Sequence, residues 1–491
     1  MAGGPHDEHD GKREPRGISL SRRGALGAAV GLSALGAQDA AARTTSSVDV
    51  VVVGAGFAGL TTARRLRASG HAVVVLEADE RVGGRTKQGR IAGEVVDLGG
   101  QWVGPTQTRL LALAKELGVA TYPQYDAGRN MIDIAGYRAV YKGETPQLTA
   151  EAMPEFAEVI GKIEAMAAKI PAAQPWQAAD AEQLDAHTVE SWLGLNTKHP
   201  AVRTMIRLMT RAVFSAEAGQ VSLLYFLAYA AAAGSFNALI STRGGAQDAL
   251  FEGGVWQLAQ KMAAELGSAV VLEAPVQSIA QDGTGVTVTT PKGEWRARYI
   301  VVTAPPAIAS RIQYAPPLPA QRDGLTQRMP LGCVIKVHIA YSRPFWRDQG
   351  LSGLVLSDRT EFGPWFDHSP TSGKTGSLVG FFDGAPAQRW ADRTVEARRA
   401  QVLKDIALYL GDAALTPVEY LEEVWTRSPL NRGGYVSVPG PGVLTAFGPA
   451  LREPFGRIRW AGTETAEAWV GYIDGAIRSG ERAALDLAGQ L

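Results

Sequence analysis

The feature that most constrains this chain is a glycine-rich turn placed between two apolar strand patterns. The β-branched run from Val48 to Val53 leads into Gly54-Ala55-Gly56-Phe57-Ala58-Gly59. A helical pattern follows as far as Gly70, and a second apolar run, Ala72 to Leu76, ends at Glu77. Continuous β-branched runs are typical of parallel strands that are buried on both faces. The sequence therefore predicts a βαβ unit with a G-x-G-x-x-G turn, which is a dinucleotide-binding pattern.

Each residue type in this turn has its own physical reason. Gly54 allows the tight turn, Gly56 lets the backbone approach a pyrophosphate, and Gly59 lets the helix pack closely on the strand. The helix N-terminus offers unpaired N–H groups to phosphate oxygens. Glu77 would accept hydrogen bonds from the adenosine ribose hydroxyls. Strand, turn, helix and acid together predict a bound dinucleotide.

Two later stretches favour FAD over NAD. Arg81-Val82-Gly83-Gly84-Arg85-Thr86 supplies a second glycine-rich turn and an arginine, which suit a larger, permanently held dinucleotide. Near the C-terminus, Trp460-Ala461-Gly462-Thr463-Glu464-Thr465 and Gly471-Tyr472-Ile473-Asp474-Gly475-Ala476 predict a strand, a small-residue turn and a further helix N-terminus. Such a helix end would favour the negative charge of a reduced flavin ring.

These motifs resemble those of the flavin-dependent amine oxidases of the monoamine oxidase type, in particular the bacterial cyclohexylamine-oxidase-like members. The resemblance extends from Val48 to the C-terminus. The other stretches that carry it are Asp97-Leu98-Gly99-Gly100-Gln101-Trp102-Val103-Gly104-Pro105-Thr106-Gln107, Pro330-Leu331-Gly332-Cys333-Val334-Ile335-Lys336 and Pro344-Phe345-Trp346. Because several separate motifs occur in the family's order, the chain is identified as a member.

The resemblance implies an α/β (α+β) fold of two domains. A discontinuous Rossmann-like FAD-binding domain would comprise residues 47–122, 252–325 and 428–490. A mixed sheet-and-helix substrate domain would comprise residues 123–251 and 326–427. Strand patterns between residues 270 and 307 support the second FAD segment, and the segments from Ala152 to Lys169 and from Ala201 to Ala233 predict helices.

The resemblance also implies which residues bind FAD. At one motif position Asp79 stands where the family often has arginine, so more of the anchoring would fall to Arg85. The backbone of Val276 would hold the adenine. The expected cofactor-binding residues are Gly54, Gly56, Phe57, Ala58, Gly59, Glu77, Ala78, Gly84, Arg85, Thr86, Gly99, Gly100, Gln101, Trp102, Val276, Trp425, Gly434, Gly462, Thr463, Glu464, Tyr472 and Ile473.

Three residues are expected to be catalytic. Lys336 lies in an apolar strand pattern, and a buried lysine needs a compensating reason. By resemblance it holds a water against flavin N5 and assists reoxidation by oxygen. Tyr435 and Tyr472 would present two roughly parallel rings in front of the flavin, where their π-faces orient the amine.

Cys333 is the only cysteine of the chain. The mitochondrial members of the family bond a cysteine to the flavin, but here Gly434 occupies that position, so we expect non-covalent FAD. The expected substrate-contacting residues are Gln247, Phe381 and Trp102 on the cavity wall, and Phe214, Leu239 and Ile240 at the entrance.

The implied reaction oxidises an amine C–N bond to an imine, which water converts to an aldehyde or ketone, while O2 becomes H2O2. Three enzymatic alternatives stay open. An L-amino-acid oxidase would need an arginine clamp, for which Arg211 and Arg243 are candidates. A polyamine oxidase would want carboxylates along its tunnel, and the sequence shows no acidic run. A dehydrogenase that passes electrons to a periplasmic haem protein would share every motif. The presence of Lys336, Tyr435 and Tyr472 together argues against a non-enzymatic flavin scaffold.

Composition and the N-terminus bear on partners and location. Lys+Arg and Asp+Glu both number 49, so net charge gives no case for nucleic acid or an acidic membrane surface. Residues 1–42 contain Ser21-Arg22-Arg23 before a short Gly/Ala-rich apolar run. This predicts a twin-arginine signal and export to the periplasm without a membrane anchor, with a cytoplasmic location as the alternative. The expected partners are a small amine and O2, no metal is expected, and a homodimer is left open.

Overall fold

The computed structural model describes residues 45–371 and 373–491, and its largest sheet grows from the predicted βαβ unit. Thr45–Val53 pairs in parallel with Val73–Leu76 on one side and with Gly293–Val302 on the other. Val50, Val51 and Val52 are fully buried, as a strand covered on both faces requires. Within the described ranges this sheet has eight strands: Thr45–Val53, Val73–Leu76, Val270–Val271, Ser278–Gln281, Val286–Thr290, Gly293–Val302, Gln313–Ala315 and Ile458–Trp460.

A second sheet contains the predicted strand of Lys336, which lies next to an edge strand. All eight residues of that strand, Val334–Tyr341, are buried. It pairs antiparallel with Gly376–Asp383 on one side and Glu419–Val424 on the other. From one edge to the other the described strands are Glu419–Val424, Val334–Tyr341, Gly376–Asp383, Trp365–Asp367, Leu351–Ser357, Arg129–Ile134 and Tyr137–Tyr141.

Helices cover the sheets, and two of them hold the βαβ unit together. Phe57–Ala68 packs closely on Ile473–Ala488, where a side chain at Gly480 would lie 2.4 Å from the Ala58 carbonyl oxygen. Two small sheets pair Gln88–Ile91 with Glu94–Asp97 and Thr121–Pro123 with Ala249–Phe251. The other α-helices are Thr108–Glu116, Met153–Ala167, Ala181–Asp185, Val189–Asn196, Pro200–Phe214, Leu223–Ala233, Phe236–Ile240, Trp256–Leu266, Pro306–Ala309, Ala320–Gln327, Phe345–Asp348, Ala385–Ala391, Val395–Leu410 and Val443–Phe447.

The predicted helix from Ala201 to Ala233 is two helices. The first, Pro200–Phe214, ends at Ser215, which has a left-handed backbone with φ of 49°. The second, Leu223–Ala233, begins at Ser222, whose hydroxyl accepts a hydrogen bond from the Tyr225 N–H. Composition favours helix throughout, but serine side chains compete with the helical backbone for hydrogen bonds and favour helix ends.

The predicted fold class, a mixed α/β fold with a Rossmann-like unit and a second sheet-and-helix region, is confirmed. The domain boundaries stay predictions. The leader at residues 1–42 lies outside the described residues. Among the residues that are described, no helix combines the length and the apolar character needed to cross a membrane.

Candidate active site

The first glycine-rich turn leaves open space beside its backbone. A Cβ at Gly54, where φ is 100°, would lie 2.7 Å from the Thr303 Oγ1 atom, and a Cβ at Gly59 would lie 1.9 Å from the Gly54 carbonyl oxygen. A Cβ at Gly56 would meet no atom within 4 Å. Gly54 and Gly59 are therefore required for packing, whereas Gly56 leaves free space where the backbone can approach a bound group.

The Glu77 carboxylate is held by backbone N–H groups. Its Oε2 atom accepts from the Ala55 N–H at 2.6 Å and its Oε1 atom from the Asp79 N–H at 2.9 Å. Burial raises the pKa of Glu77, and these N–H groups oppose that shift. A carboxylate has about four acceptor sites, so Glu77 keeps capacity for ribose hydroxyls.

Around this turn lies a cavity of about 400 Å³, which we call the cofactor cavity. It has the glycine turns, the helix N-terminus and the buried acid that an extended dinucleotide such as FAD requires. The expected cofactor-binding residues that line it are Gly54, Gly56, Phe57, Ala58, Glu77, Ala78, Gly84, Arg85, Thr86, Gly99, Gly100, Val276, Trp425, Gly434, Gly462, Thr463, Tyr472 and Ile473.

Four expected cofactor-binding residues do not line this cavity. Gly59 packs against the Gly54 backbone, and the Gln101 side chain binds Lys336. Trp102 lines the substrate cavity described below. Glu464 is 3% exposed and forms an ion pair with Arg85. Their part in cofactor binding would be indirect, through the residues that they hold.

Arg85 connects the cofactor cavity to a predicted catalytic tyrosine. Its guanidinium donates to both Glu464 carboxylate oxygens, at 2.8 and 3.0 Å, and to the Tyr435 carbonyl oxygen at 2.7 Å. These bonds use three of its five N–H groups. The expected anchoring role of Arg85 therefore includes fixing the backbone of Tyr435, with two donors left for a cofactor.

Lys336 is 2% exposed and lines the cofactor cavity. Its Nζ atom donates to the Gly99 carbonyl oxygen at 2.8 Å and to the Gln101 Oε1 atom, which leaves one of its three donors. Burial lowers the pKa of Lys336 and raises the pKa of Asp97, while the attraction between the two charges opposes both shifts. The lysine is thus a positioned donor that can lose its proton readily.

A larger cavity of about 950 Å³, which we call the substrate cavity, lies next to the cofactor cavity. Gln247, Phe381, Trp102, Leu239 and Ile240 line it, and the placing of Leu239 and Ile240 at its entrance stays a prediction. Phe214 does not line it. That ring is fully buried and packs against Tyr225, Phe226 and Tyr229, so the expectation that it forms part of the entrance is wrong in this structure.

The two cavities share one short stretch of wall, and both predicted catalytic tyrosines belong to it. The shared residues are Gly99, Gly100, Tyr435, Gly471, Tyr472 and Ile473. Tyr435 packs edge-on against Phe381 with ring centroids 6.0 Å apart, and Tyr472 packs edge-on against Trp469 at 4.9 Å. A bound amine and a bound cofactor would therefore come together at this shared wall; the parallel arrangement of the two tyrosine rings stays a prediction.

Two buried titratable residues beside this junction are absent from the sequence-based set. The neutral His338 ring, whose pKa burial lowers far below its usual value, donates from Nε2 to the Asp97 carbonyl oxygen at 3.0 Å. Asp383 is 1% exposed, lines the substrate cavity and binds the Tyr435 hydroxyl. A sequence signal for both exists, since His338 lies inside a largely apolar strand pattern and Asp383 ends another.

The structure gives no free arginine clamp among the described wall residues. Arg211 donates to both oxygens of Glu217, at 2.9 Å each, and the exposed Arg243 pairs with Asp126. Nor does any group of three or more His, Cys, Asp or Glu residues in the described ranges have the geometry of a metal site.

Comparison with known proteins adds a family. The model of the family described as flavin containing amine oxidoreductase matches residues 57–488. The flavin-containing monoamine oxidase AofH of Mycobacterium tuberculosis is 42% identical over 445 residues, covering 91% of this chain and 97% of that protein. A wild-type putrescine oxidase bound to putrescine superposes with a TM-score of 0.88 at 34% identity, covering 91% of this chain and 100% of that one. Cyclohexylamine oxidase from Brevibacterium oxydans IH-35A superposes with a TM-score of 0.87 at 33% identity, covering 90% and 99%.

Proposed function

The chain belongs to the flavin-containing amine oxidoreductase family and is an FAD-dependent amine oxidase, and we propose that it oxidises small amines with O2 as the electron acceptor and H2O2 as a product. The observation that carries this proposal is the shared wall of the two cavities. There Tyr435 and Tyr472 face both cavities, and the buried Lys336 lines the cofactor side.

FAD, when bound, supplies the two-electron acceptor for the amine. The residues of the chain bind and orient the substrate. The rings of Phe381, Tyr435 and Tyr472 form an apolar passage, which favours an uncharged amine because a cation loses its hydration there. The faces of these rings orient the uncharged amine in front of the shared wall. Lys336 keeps one donor toward the cofactor cavity, where it can hold a water or move a proton.

An anaerobic screen tests the proposed function. We expect at least one class of primary, secondary, cyclic or aromatic amine to bleach the yellow absorbance of the purified holoenzyme. Readmission of air should then restore the colour with consumption of O2 and release of H2O2. If the colour returns only with an added haem protein, the enzyme is a dehydrogenase. If only L-amino acids bleach it, the enzyme is an L-amino-acid oxidase, and a residue other than Arg211 and Arg243 must bind the substrate carboxylate.

We propose that the FAD is not covalently bound. Cys333, the only cysteine, does not line the cofactor cavity, and its sulfur accepts a hydrogen bond from the Gln388 amide at 3.5 Å. Gly434, which does line that cavity, has no side chain to form a link. Acid precipitation should leave the yellow flavin in the supernatant. A yellow pellet after washing would contradict this proposal.

We also propose export by the twin-arginine route, on the support of Ser21-Arg22-Arg23 and the apolar run that follows. A fusion of residues 1–44 to a reporter that requires folding before export should appear in the periplasm. Replacement of Arg22 and Arg23 by lysine should retain the reporter in the cytoplasm. Equal export of both fusions would contradict the route.

A further inference from the structure

Asp383 occupies an unusual place in the wall of the substrate cavity. It is the last residue of the strand Gly376–Asp383, and it lines the cavity two residues after Phe381. Alternate residues of a strand share a face, so the carboxyl and the aromatic ring are presented to the cavity side by side. The carboxyl is 1% exposed in spite of this position.

Among the described residues, the partners of Asp383 are hydroxyl groups and no cation. Its Oδ1 atom accepts from the Ser215 hydroxyl at 2.8 Å and from the Tyr435 hydroxyl at 3.1 Å, and its Oδ2 atom accepts from the Tyr435 hydroxyl at 3.4 Å. Arg211 is the cation that acts on it through charge, but its Nε and Nη2 atoms donate to Glu217, and no hydrogen bond joins it to Asp383 in the described part of the chain. The group formed by Arg211, Glu217 and ionised Asp383 therefore carries one uncompensated negative charge.

The other wall carboxylates of the described cavity are bound either by an arginine or by backbone N–H groups. Asp126 pairs with Arg243, and Asp367 pairs with Arg347. Glu144 accepts a hydrogen bond from the Thr242 N–H at 2.8 Å. The same holds for Glu164, which accepts from two backbone N–H groups at a helix start.

A buried carboxylate without a cation is costly, and a cationic ligand removes that cost. Oδ2 has spare acceptor capacity toward such a ligand. The hydroxyl of Tyr435 binds this carboxyl, and the ring of the same tyrosine faces the cofactor cavity. A diamine could place one amino group at the shared wall and bind Asp383 with its second, charged amino group.

We propose that Asp383 binds the distal ammonium of a short aliphatic diamine while the other amino group is oxidised at the shared wall. This inference rests on the proposed function and narrows its substrate class. Asp383 is then a specificity-determining residue. It adds binding energy for diamines that monoamines of the same length cannot obtain.

The test compares kcat/KM for 1,4-diaminobutane with kcat/KM for n-butylamine, measured on the holoenzyme. We expect the wild type to prefer the diamine by at least about tenfold, the scale of one charge-assisted hydrogen bond. Asp383→Asn should reduce this ratio about 10- to 100-fold, through a larger loss of kcat/KM for the diamine than for the monoamine. Glu144→Gln, which removes an exposed and already bonded carboxylate of the same cavity, should leave the ratio unchanged.

A charge-retaining variant and the preference of the wild type also test the role of Asp383. Asp383→Glu keeps the charge and should retain most of the preference, while the flavin spectrum of each variant checks that it is folded. A wild type that prefers n-butylamine, or a preference that survives in Asp383→Asn, would overturn the inference and leave the proposed function intact. If neither amine nor any other bleaches the flavin, the proposed function fails and the inference falls with it.

Discussion

The cofactor cavity and the substrate cavity are built on different principles. Glycine turns form part of the wall of the cofactor cavity, and its main acid is bound locally, since Glu77 accepts from the Ala55 N–H only 22 positions away. The substrate cavity is made of side chains from distant parts of the chain. Asp383 there meets Ser215 across 168 positions and Tyr435 across 52.

This difference determines how each cavity can respond to amino-acid substitution. A backbone cradle binds groups that are common to many proteins, such as phosphates and ribose, and tolerates few substitutions. A wall of side chains can be altered one residue at a time, because each side chain contacts the ligand by itself. Cofactor retention should therefore respond to the turn residues, and substrate choice to the wall residues.

The largest effect should follow from Gly56→Val. Because a Cβ at this position meets no protein atom within 4 Å, the variant should fold, but its side chain would occupy the space that the cofactor needs. We expect FAD to bind on the order of 100-fold more weakly. The measurement is flavin fluorescence released on dilution, together with circular dichroism of the apoprotein.

Gly283→Val is the matched control for this variant, because Gly283 is exposed and a Cβ placed there would also meet no atom within 4 Å. It should retain FAD like the wild type. Normal FAD binding by Gly56→Val would show that the cradle does not use close backbone approach at this turn. Loss of the folded state would instead mean that Gly56 is a packing residue like Gly59.

Lys336→Met tests a buried residue of the cofactor cavity. The substitution keeps the length of the side chain but removes the donor to Gly99 and Gln101. We expect reoxidation of the flavin by O2 to slow by at least about tenfold, and anaerobic reduction by amine to change less. Stopped-flow absorbance measures each half-reaction by itself.

Lys87→Met is the control, since Lys87 forms its ion pair with Glu423 and lines neither cavity. Both of its half-reactions should match the wild type. Equal reoxidation rates in Lys336→Met and the wild type would refute the role of Lys336 in the reaction with oxygen.

The dinucleotide turn of the cofactor cavity was predictable because its determinants are close in sequence, whereas other wall residues such as Trp425 come from distant parts of the chain. The β-branched run, the glycines and Glu77 predict the βαβ unit in one continuous stretch, and the observed strand Thr45–Val53 and helix Phe57–Ala68 follow that pattern. The buried state of Lys336 was predictable for a similar reason, since a lone lysine in an apolar strand pattern has no exposed face.

The substrate cavity was less predictable because its geometry depends on where distant elements pack. Composition does not show that Ser215 ends a helix, and that break is what brings its hydroxyl to Asp383. Phe214, one residue earlier, is an aromatic residue whose side chain points into the core instead of the cavity. Spacing along the chain contains no information about either outcome.

Measuring the diamine preference against pH tests whether Asp383, which is held by hydroxyls and not by backbone N–H groups as Glu77 is, changes its charge near neutral pH. Burial raises the pKa of Asp383 to about 7, with Ser215, Tyr435 and Arg211 opposing the shift and Glu217 adding to it. The carboxyl is therefore charged above pH 7 and neutral below it. The preference for 1,4-diaminobutane over n-butylamine should rise up to about tenfold from pH 6 to pH 8, because protonation of the reacting amine affects both substrates alike. The same series on Asp383→Asn should be flat; a preference that falls as pH rises would contradict the assignment.

The smallest effect should distinguish the two tyrosines of the shared wall. Tyr435→Phe keeps the ring but removes the hydroxyl that donates to Asp383, so the carboxyl loses one of its two donors and its position becomes less defined. We expect the diamine preference to fall a few-fold, about the value of one hydrogen bond to a charged group. Tyr472→Phe should leave that preference unchanged, because no hydrogen bond of the Tyr472 hydroxyl is found in the described part of the chain. Steady-state kcat/KM ratios measure both variants, and equal losses in the two would show that Tyr435 acts through its ring alone.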